Sequence, residues 1–235
     1  MRIMRDIRRW AIYYVPAEKS AFARFGADWL GWDAQAGRAI EGYDPPGLPL
    51  PRAEITAQPR KYGFHATLKA PFVLGDDREP AALDAAITAL AGEFEPFALP
   101  LVLGTLGSFL ALLPAEPNAP LDALAAACVT RLDTFRAPEA AEHRRRHPGT
   151  MTERQRAYFG AWGYPFVLEE FHFHMTLTGA LGAEDRAKVA AALDPLVAPL
   201  LAEPRTVRDI CLVGEDRQGM FHLLKRFPLA RGPAI

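Results

Sequence analysis

FHFHMTLTG, residues 171–179, and FHATLKAP, residues 64–71, decide how this chain folds. Both contain Phe-His-x-Thr-Leu, and the motif histidines, His65 and His174, stand 109 residues apart. Successive side chains of a strand point to opposite faces, so an extended first copy puts His65, Thr67 and Lys69 on one face and Phe64, Ala66 and Leu68 on the other. In the second copy His174, Thr176 and Thr178 share a face, and Phe173, Met175 and Leu177 share its reverse. An imidazole and a hydroxyl roughly 7 Å apart above an apolar reverse describe a strand that packs on a core and presents chemistry to a cleft.

Outward from the two motifs, the surroundings repeat as well. Trp10 to Val15 reads as a strand that ends at Pro16-Ala17-Glu18, where a helix begins and runs to about Trp32. Ser108 to Pro114 is again a short apolar run, followed by Ala115-Glu116 and a helix from Leu121 to about Phe135. Each copy leads through an irregular segment to a His-x-Thr strand. After the motifs come alanine-rich helices, Glu79 to Phe94 and Ala183 to Leu201, and then strands, Phe97 to Leu103 and Thr206 to Val213. A final hairpin turns at residues 215–219 and returns along Met220 to Leu229.

Two similar units in one chain bury the same surface against each other when they pack about a pseudo-two-fold axis. The expected fold is therefore α+β and bilobal, an internal duplication with two antiparallel sheets lining a central cleft and helices outside. Residues 1–235 read as one such domain, in which 1–105 and part of the strands of 106–235 form two interlocked lobes and 136–165 is a basic insertion. The axis would bring His65 and His174 to one cleft with Thr67 and Thr176 beside them. A lone strand histidine is usually satisfied by a backbone carbonyl, and recurrence at equivalent places is what argues for a paired role.

Half of the residues are hydrophobic, enough for a sizeable core. A net charge of −1 supplies no global attraction to nucleic acid or to an anionic membrane, so neither long nucleic acid nor a membrane is expected as a partner, and an anionic ligand must be held by local charge. The only cysteines, Cys128 and Cys211, have no CxxC or metal-type spacing and suit a reduced cytoplasm. The apolar run after the basic MRIMRDIRRW stops at Pro16, too short for a signal sequence or a membrane span. A cytoplasmic protein is expected, and a monomer is favoured.

Two segments break the repeat. Residues 42–61 hold five prolines after Tyr43 and read as an ordered-coil connection that delivers Arg60, Lys61 and Tyr62 to the first motif. Residues 136–165 hold six arginines against three glutamates, include the helical run Glu142 to His147, and enter the second motif through Trp162-Gly163-Tyr164-Pro165. They read as a basic lid over an anionic substrate, which makes Arg144, Arg154 and Tyr164 candidate substrate contacts with Lys61, Tyr62, Lys69 and His172.

An unperturbed imidazole titrates near about 6.5, so two in one cleft can supply a general base and a general acid near neutral pH. The hydroxyls of Thr67 and Thr176 can hold non-bridging phosphate oxygens, with Lys69 or a lid arginine stabilising the charge that grows in the transition state. The reaction that suits this set is in-line displacement at phosphorus with no metal and no cofactor. A 2′,3′-cyclic phosphate or another five-membered cyclic phosphodiester fits best, because ring strain assists the leaving oxygen.

His65-Ala66-Thr67-Leu68 and His174-Met175-Thr176-Leu177 resemble the two His-x-Thr-x signatures of the two-histidine phosphoesterase superfamily, which includes RNA 2′,3′-cyclic phosphodiesterases. The resemblance implies a bilobal pseudo-symmetric α+β fold in which both motifs lie on strands, His65 and His174 are catalytic, and Thr67 and Thr176 bind phosphate. The wider context, residues 61–72 and 162–179, is similar to the branch encoded beside carbon–phosphorus lyase genes for phosphonate use. That implies a small phosphorylated substrate, a ribosyl cyclic phosphate as much as an RNA end.

Two other readings stay open. His172-x-His174 on one strand and His143 with His147 on a helix could ligate a metal ion for hydrolysis, although neither pair has a carboxylate at HExxH-type spacing and the symmetric counterpart of His172 is Gly63. His172 otherwise serves as a second phosphate or orienting group. A non-catalytic module that binds a phosphorylated ligand or an RNA end is the other, and it would not require two proton-transfer groups.

Overall fold

A computed structural model describes residues 7–138 and 151–230. The first strand, β1 (Arg9–Tyr14), leads into α1 (Ala21–Leu30). This helix starts later than Pro16-Ala17-Glu18, because Ser20 is the residue whose hydroxyl accepts the Ala23 N–H, at 3.0 Å. It ends before Trp32, at Gly31, whose φ of 78° closes the C-terminus in the left-handed conformation. Trp32 belongs instead to a two-residue strand, β2 (Trp32–Asp33), that pairs with β3 (Arg38–Ala39).

The proline-rich connection is more ordered than a coil. It contains two single-turn helices, α2 (Arg52–Ile55) and α3 (Ala57–Arg60). Their arginines account for the order. The guanidinium of Arg52 donates to the carbonyls of Asp28 and Trp29 at 3.0 and 2.8 Å, and that of Arg60 donates to Leu30 at 3.0 Å. These are carbonyls of the last turn of α1, so two cations complete a helix terminus and pin the segment to it. Arg60 is thereby a structural residue directed away from the first motif.

The first motif enters β4 (Ala66–Phe72), followed by α4 (Pro80–Ala91), β5 (Phe97–Leu99) and β6 (Leu101–Leu106). Pro100, which has no N–H for a ladder, divides the single strand expected here into two. The second half runs β7 (Phe109–Pro114), α5 (Ala119–Leu132), α6 (Glu153–Trp162), β8 (Met175–Thr176), α7 (Ala183–Leu201), β9 (Arg205–Val207), β10 (Asp209–Glu215) and β11 (Phe221–Pro228). Only two residues of FHFHMTLTG join a ladder; beyond them the N–H groups of Leu177 and Thr178 reach the carbonyl of Leu110, and that of Gly179 reaches Ile55. The run Glu142 to His147 lies outside the described residues.

The fold is α+β and antiparallel, and its main sheet has the order β11-β10-β1-β4-β8-β7-β6. Strand β10, from the second half, lies beside β1, while β6, from the first half, lies beside β7. The two half-sheets meet where β4 pairs with β8 at Ala66↔Met175, and β5 pairs with β9 in a small separate sheet. One face carries the main core, in which Ile12, Leu68, Met175 and Leu112 of the sheet, with Leu177 just beyond β8, join Leu30, Leu83, Leu124 and Leu193 of helices α1, α4, α5 and α7. Cys128 and Cys211 are free and buried. Alternation sends Tyr13, Val213 and Phe221 to the opposite face, where they form a second cluster. Among the described residues no helix is long and apolar enough to cross a membrane.

Candidate active site

The pairing of Ala66 with Met175 fixes the site. Continued one residue either way along antiparallel strands, it sets His65 opposite Thr176 and Thr67 opposite His174. Directly opposed side chains have Cβ atoms about 4.5–5.5 Å apart, and diagonal neighbours such as His65 and His174 are about 7–8 Å apart. The two copies therefore lie side by side on adjoining strands, with all four polar side chains on the face away from the helices.

Both histidines are oriented by the same device. Nδ1 of His65 donates to the carbonyl of Gly63 at 2.9 Å, and Nδ1 of His174 donates to the carbonyl of His172 at 2.7 Å. A carbonyl only accepts, so each Nδ1 carries the hydrogen and each Nε2 is left with its lone pair. Nε2 of His65 lies 3.2 Å from the Thr67 hydroxyl. Gly63 makes its turn at φ 73°, and a Cβ there would come within 2.7 Å of Ala34 Cβ, so the position demands glycine.

His65 is half-buried, stacked on Tyr13 with ring centroids 3.8 Å apart and with Tyr62 at 5.9 Å. Burial pushes its pKa down to about 4, helped by repulsion from a protonated His174 and opposed by the Gly63 carbonyl. Burial also lowers the pKa of His174, opposed by the hydrogen bond to the His172 carbonyl and helped by repulsion from the His172 imidazole. Both imidazoles thus favour the neutral form near pH 7, in place of one neutral and one protonated ring.

Two unlike cavities open on the four residues. One, of about 450 Å³, is lined by Thr67 and His174 together with Phe109, Gln155, Tyr164 and Glu170. The other, of about 630 Å³, is lined by His65 and Thr176 with Lys61, Tyr62, Ser108 and Phe109. Phe109 borders both and lies 5.8 Å from the His174 ring. Tyr164 and His172 line the first cavity, and Lys61 and Tyr62 line the second. Thr178 is buried, its hydroxyl donating to Gly179 and accepting from Leu110.

Lys69 is a correction. In the pairing of β4 with β1, Tyr13 faces Thr67 while Ile12 faces Lys69, a bulge that inserts one residue and ends the alternation after Thr67. Lys69 is sent to the helix face, 3% exposed, where its ammonium meets Asp133 at 2.9 Å. Asp133 also accepts two hydrogen bonds from Arg136 at 2.9 Å each, and Arg136 donates to the carbonyl of Ala161 in α6 at 3.1 Å. This chain of charges ties the rear of the motif strand to α6. Arg154 is exposed and lies 3.8 Å from Glu170, and Arg144 lies outside the described residues.

Sequence reading missed Tyr13, Phe109, Gln155 and Glu170. The alternation of RWAIYY puts Tyr13 on the face opposite Ile12, which is a usable signal once β1 is placed beside β4. The others border the site through long-range packing and leave no local trace. Among the described residues no three His, Cys, Asp or Glu side chains converge in a way that could hold a metal ion; His143 and His147 lie outside them.

A model of the family described as "Protein of unknown function (DUF1045)" matches residues 67–222. A protein of Janthinobacterium sp. (strain Marseille) named ribose 1,5-bisphosphate phosphokinase PhnN is 35% identical over 225 residues, an alignment covering 91% of this chain and 49% of that protein. One of the same name from Laribacter hongkongensis (strain HLHK9) is 35% identical over 190 residues, 79% of this chain and 44% of the relative. The chain spans about half the length of the curated relatives it matches. Among solved structures, E. coli LigT complexed with 3′-AMP is similar at a TM-score of 0.45 and 18% identity, over 96% of this chain and 100% of that one.

Proposed function

The chain belongs to the family described as "Protein of unknown function (DUF1045)", and from that premise we propose that it is a phosphodiesterase that opens a small cyclic phosphodiester by two-histidine general acid and base catalysis. The observation that carries the reading is the cross-strand register, which gives each motif histidine the other motif's threonine as its direct neighbour. A phosphate placed over this square meets two hydroxyl donors and two imidazole Nε2 atoms.

One imidazole takes a proton from water as the water oxygen attacks phosphorus, and the P–O bond to the ring oxygen breaks in line with the attack. The second imidazole delivers a proton to that leaving oxygen, so the product is a monoester with a free hydroxyl. With both rings neutral in the free site, the proton for the acid is taken up from solvent as the substrate binds: an anionic phosphate between the imidazoles favours one imidazolium and counters the burial that disfavours it. The hydroxyls of Thr67 and Thr176 hold the non-bridging oxygens while charge redistributes.

This arrangement agrees with the resemblance to the two-histidine phosphoesterase superfamily. The name PhnN borne by the relatives supports a setting in phosphonate use. Their phosphokinase name belongs to proteins about twice as long, and the Gly-x-x-x-x-Gly-Lys-Ser/Thr phosphate loop does not occur in this sequence, so kinase activity is not assigned to this chain. The substrates proposed are 2′,3′-cyclic nucleotides, RNA ends and ribosyl cyclic phosphates.

His65→Ala and His174→Ala should each lower turnover of a cyclic phosphodiester by at least about 10²-fold, with the circular dichroism spectrum retained. Near-normal turnover by either folded variant would refute the mechanism.

A further inference from the structure

The four catalytic and phosphate-binding positions repeat about the axis, and their surroundings do not. The cavity beside His174 is walled by Phe109, Tyr164, Phe166 and Phe171, and Glu170 is the one Asp, Glu, Lys or Arg among its described lining residues. Its carboxylate is held in place: Oε2 accepts from the Gln155 side chain at 2.9 Å, and Gln155 is itself fixed by the capping box that starts α6. Phe166 is 45% exposed at this wall, and its ring meets Tyr164 edge-on at 5.7 Å. The cavity beside His65 has the opposite character. Lys61 is its one Asp, Glu, Lys or Arg among the described lining residues, accompanied by Gln58, Ser108 and Thr178.

An aromatic wall with a fixed carboxylate suits a flat, uncharged ring that has N–H or O–H donors, because the ring faces supply area and the carboxylate takes hydrogen bonds. The same carboxylate repels an anionic substituent, because its ion pair with the exposed Arg154 is long, at 3.8 Å, and worth little, and like charges juxtaposed in a partly closed site are strongly disfavoured. Lys61 does the reverse in the other cavity. Resting on the hydrolysis proposed above, we propose that the site binds its diester in one direction, with an uncharged ring-bearing substituent in the α6 cavity and any further anionic group in the Lys61 cavity, and that Glu170 is the residue that sets this direction.

The test compares three 2′,3′-cyclic phosphates: that of uridine; that of orotidine, whose ring differs by one added carboxylate; and that of 1-O-methylribose, which has no ring. The unmodified chain should turn over the uridine compound with a kcat/KM at least about tenfold above each of the others. Glu170→Gln retains an amide that can bond Gln155, and it should bring orotidine to within about threefold of uridine. Phe166→Ala should narrow the gap between uridine and the ringless compound and leave the uridine-to-orotidine ratio in place. The proposal is overturned if the unmodified chain treats the three compounds within about threefold of one another, or if folded Glu170→Gln leaves the uridine-to-orotidine ratio unchanged. Failure of the hydrolysis reading shows differently: absence of turnover on all three, with calorimetric binding that still ranks uridine above orotidine and loses that rank in Glu170→Gln, would retain the direction and refute the reaction.

Discussion

Acid should destabilise this protein through one identifiable side chain, and His65→Gln should remove that part of the loss. His65 is stacked on Tyr13, its Nδ1–H is committed to Gly63, and burial takes its pKa from 6.5 to about 4. In the unfolded chain the ring returns to about 6.5. Between the two values the unfolded chain binds more protons than the folded one, so stability falls as the pH falls through 6.5, and the loss is complete below about 4. Integrated from about pH 7 to about pH 4.5, that gap amounts to about 2 kcal/mol, a large share of the ~5–15 kcal/mol of a typical domain. Urea unfolding at the two pH values, followed by the fluorescence of the buried Trp10, Trp29 and Trp32, measures it. His174 and the carboxylates titrate in both proteins, so the comparison is the loss in the original chain minus the loss in His65→Gln. That difference should be about 2 kcal/mol with unchanged m-values; losses that agree within about 0.5 kcal/mol would refute the account of His65.

Asp133→Ala should destabilise the fold by ~3–5 kcal/mol, because it leaves the ammonium of Lys69 buried without its counter-charge, whereas Lys69→Met, which removes the buried charge and leaves Asp133 paired with Arg136, should cost far less; equal losses in thermal melts would contradict the pairing. Gly26→Ala gains up to about 1 kcal/mol of helix propensity in α1. Its new Cβ would lie 1.9 Å from the Phe64 ring, so overpacking of ~1–3 kcal/mol or more should win and lower the melting temperature. Saturating EDTA should leave cyclic phosphodiester turnover unchanged; a loss that an added divalent metal restores would favour the His172 and His174 metal reading.

The duplication was legible because it is written in residue types at fixed local spacing. His-x-Thr and Pro-Ala-Glu recur, and the capping residues that follow, Ser20 and Asn118, begin α1 and α5 at equivalent places. Pairing between distant strands has no such local code. The bulge opposite Ile12 and Tyr13 arises from the contact of β4 with β1, and it is the reason strict alternation misplaced Lys69 while placing His65 and Thr67 correctly. The order of residues 52–60 was hidden for a similar reason, since Arg52 and Arg60 are held by carbonyls of α1 more than twenty positions away. Phe109 and Glu170 stand in the site because β7 and the segment after α6 pack there, and nothing in either local sequence marks them.

Duplication also has a chemical limit. It supplies two equivalent imidazoles, each with Nδ1 held by the carbonyl two residues earlier, and equivalent groups cannot tell one end of a ligand from the other. Direction has to come from positions that did not stay alike. The pairing of β1 with β4 puts Tyr13 opposite Thr67, whereas the matching pairing of β7 with β8 puts Ala111 opposite Thr176. A phenol ring stacks on His65 at 3.8 Å, whereas the aromatic neighbour of His174 is Phe109, tilted and 5.8 Å away. Gly63 precedes one histidine and His172 the other. Lys61 and Glu170 each stand four residues before a motif histidine, equivalent positions that carry opposite charges and line different cavities. Under the proposed hydrolysis the repeated residues carry the proton transfers, and the positions that differ set which substrate is taken and in which direction.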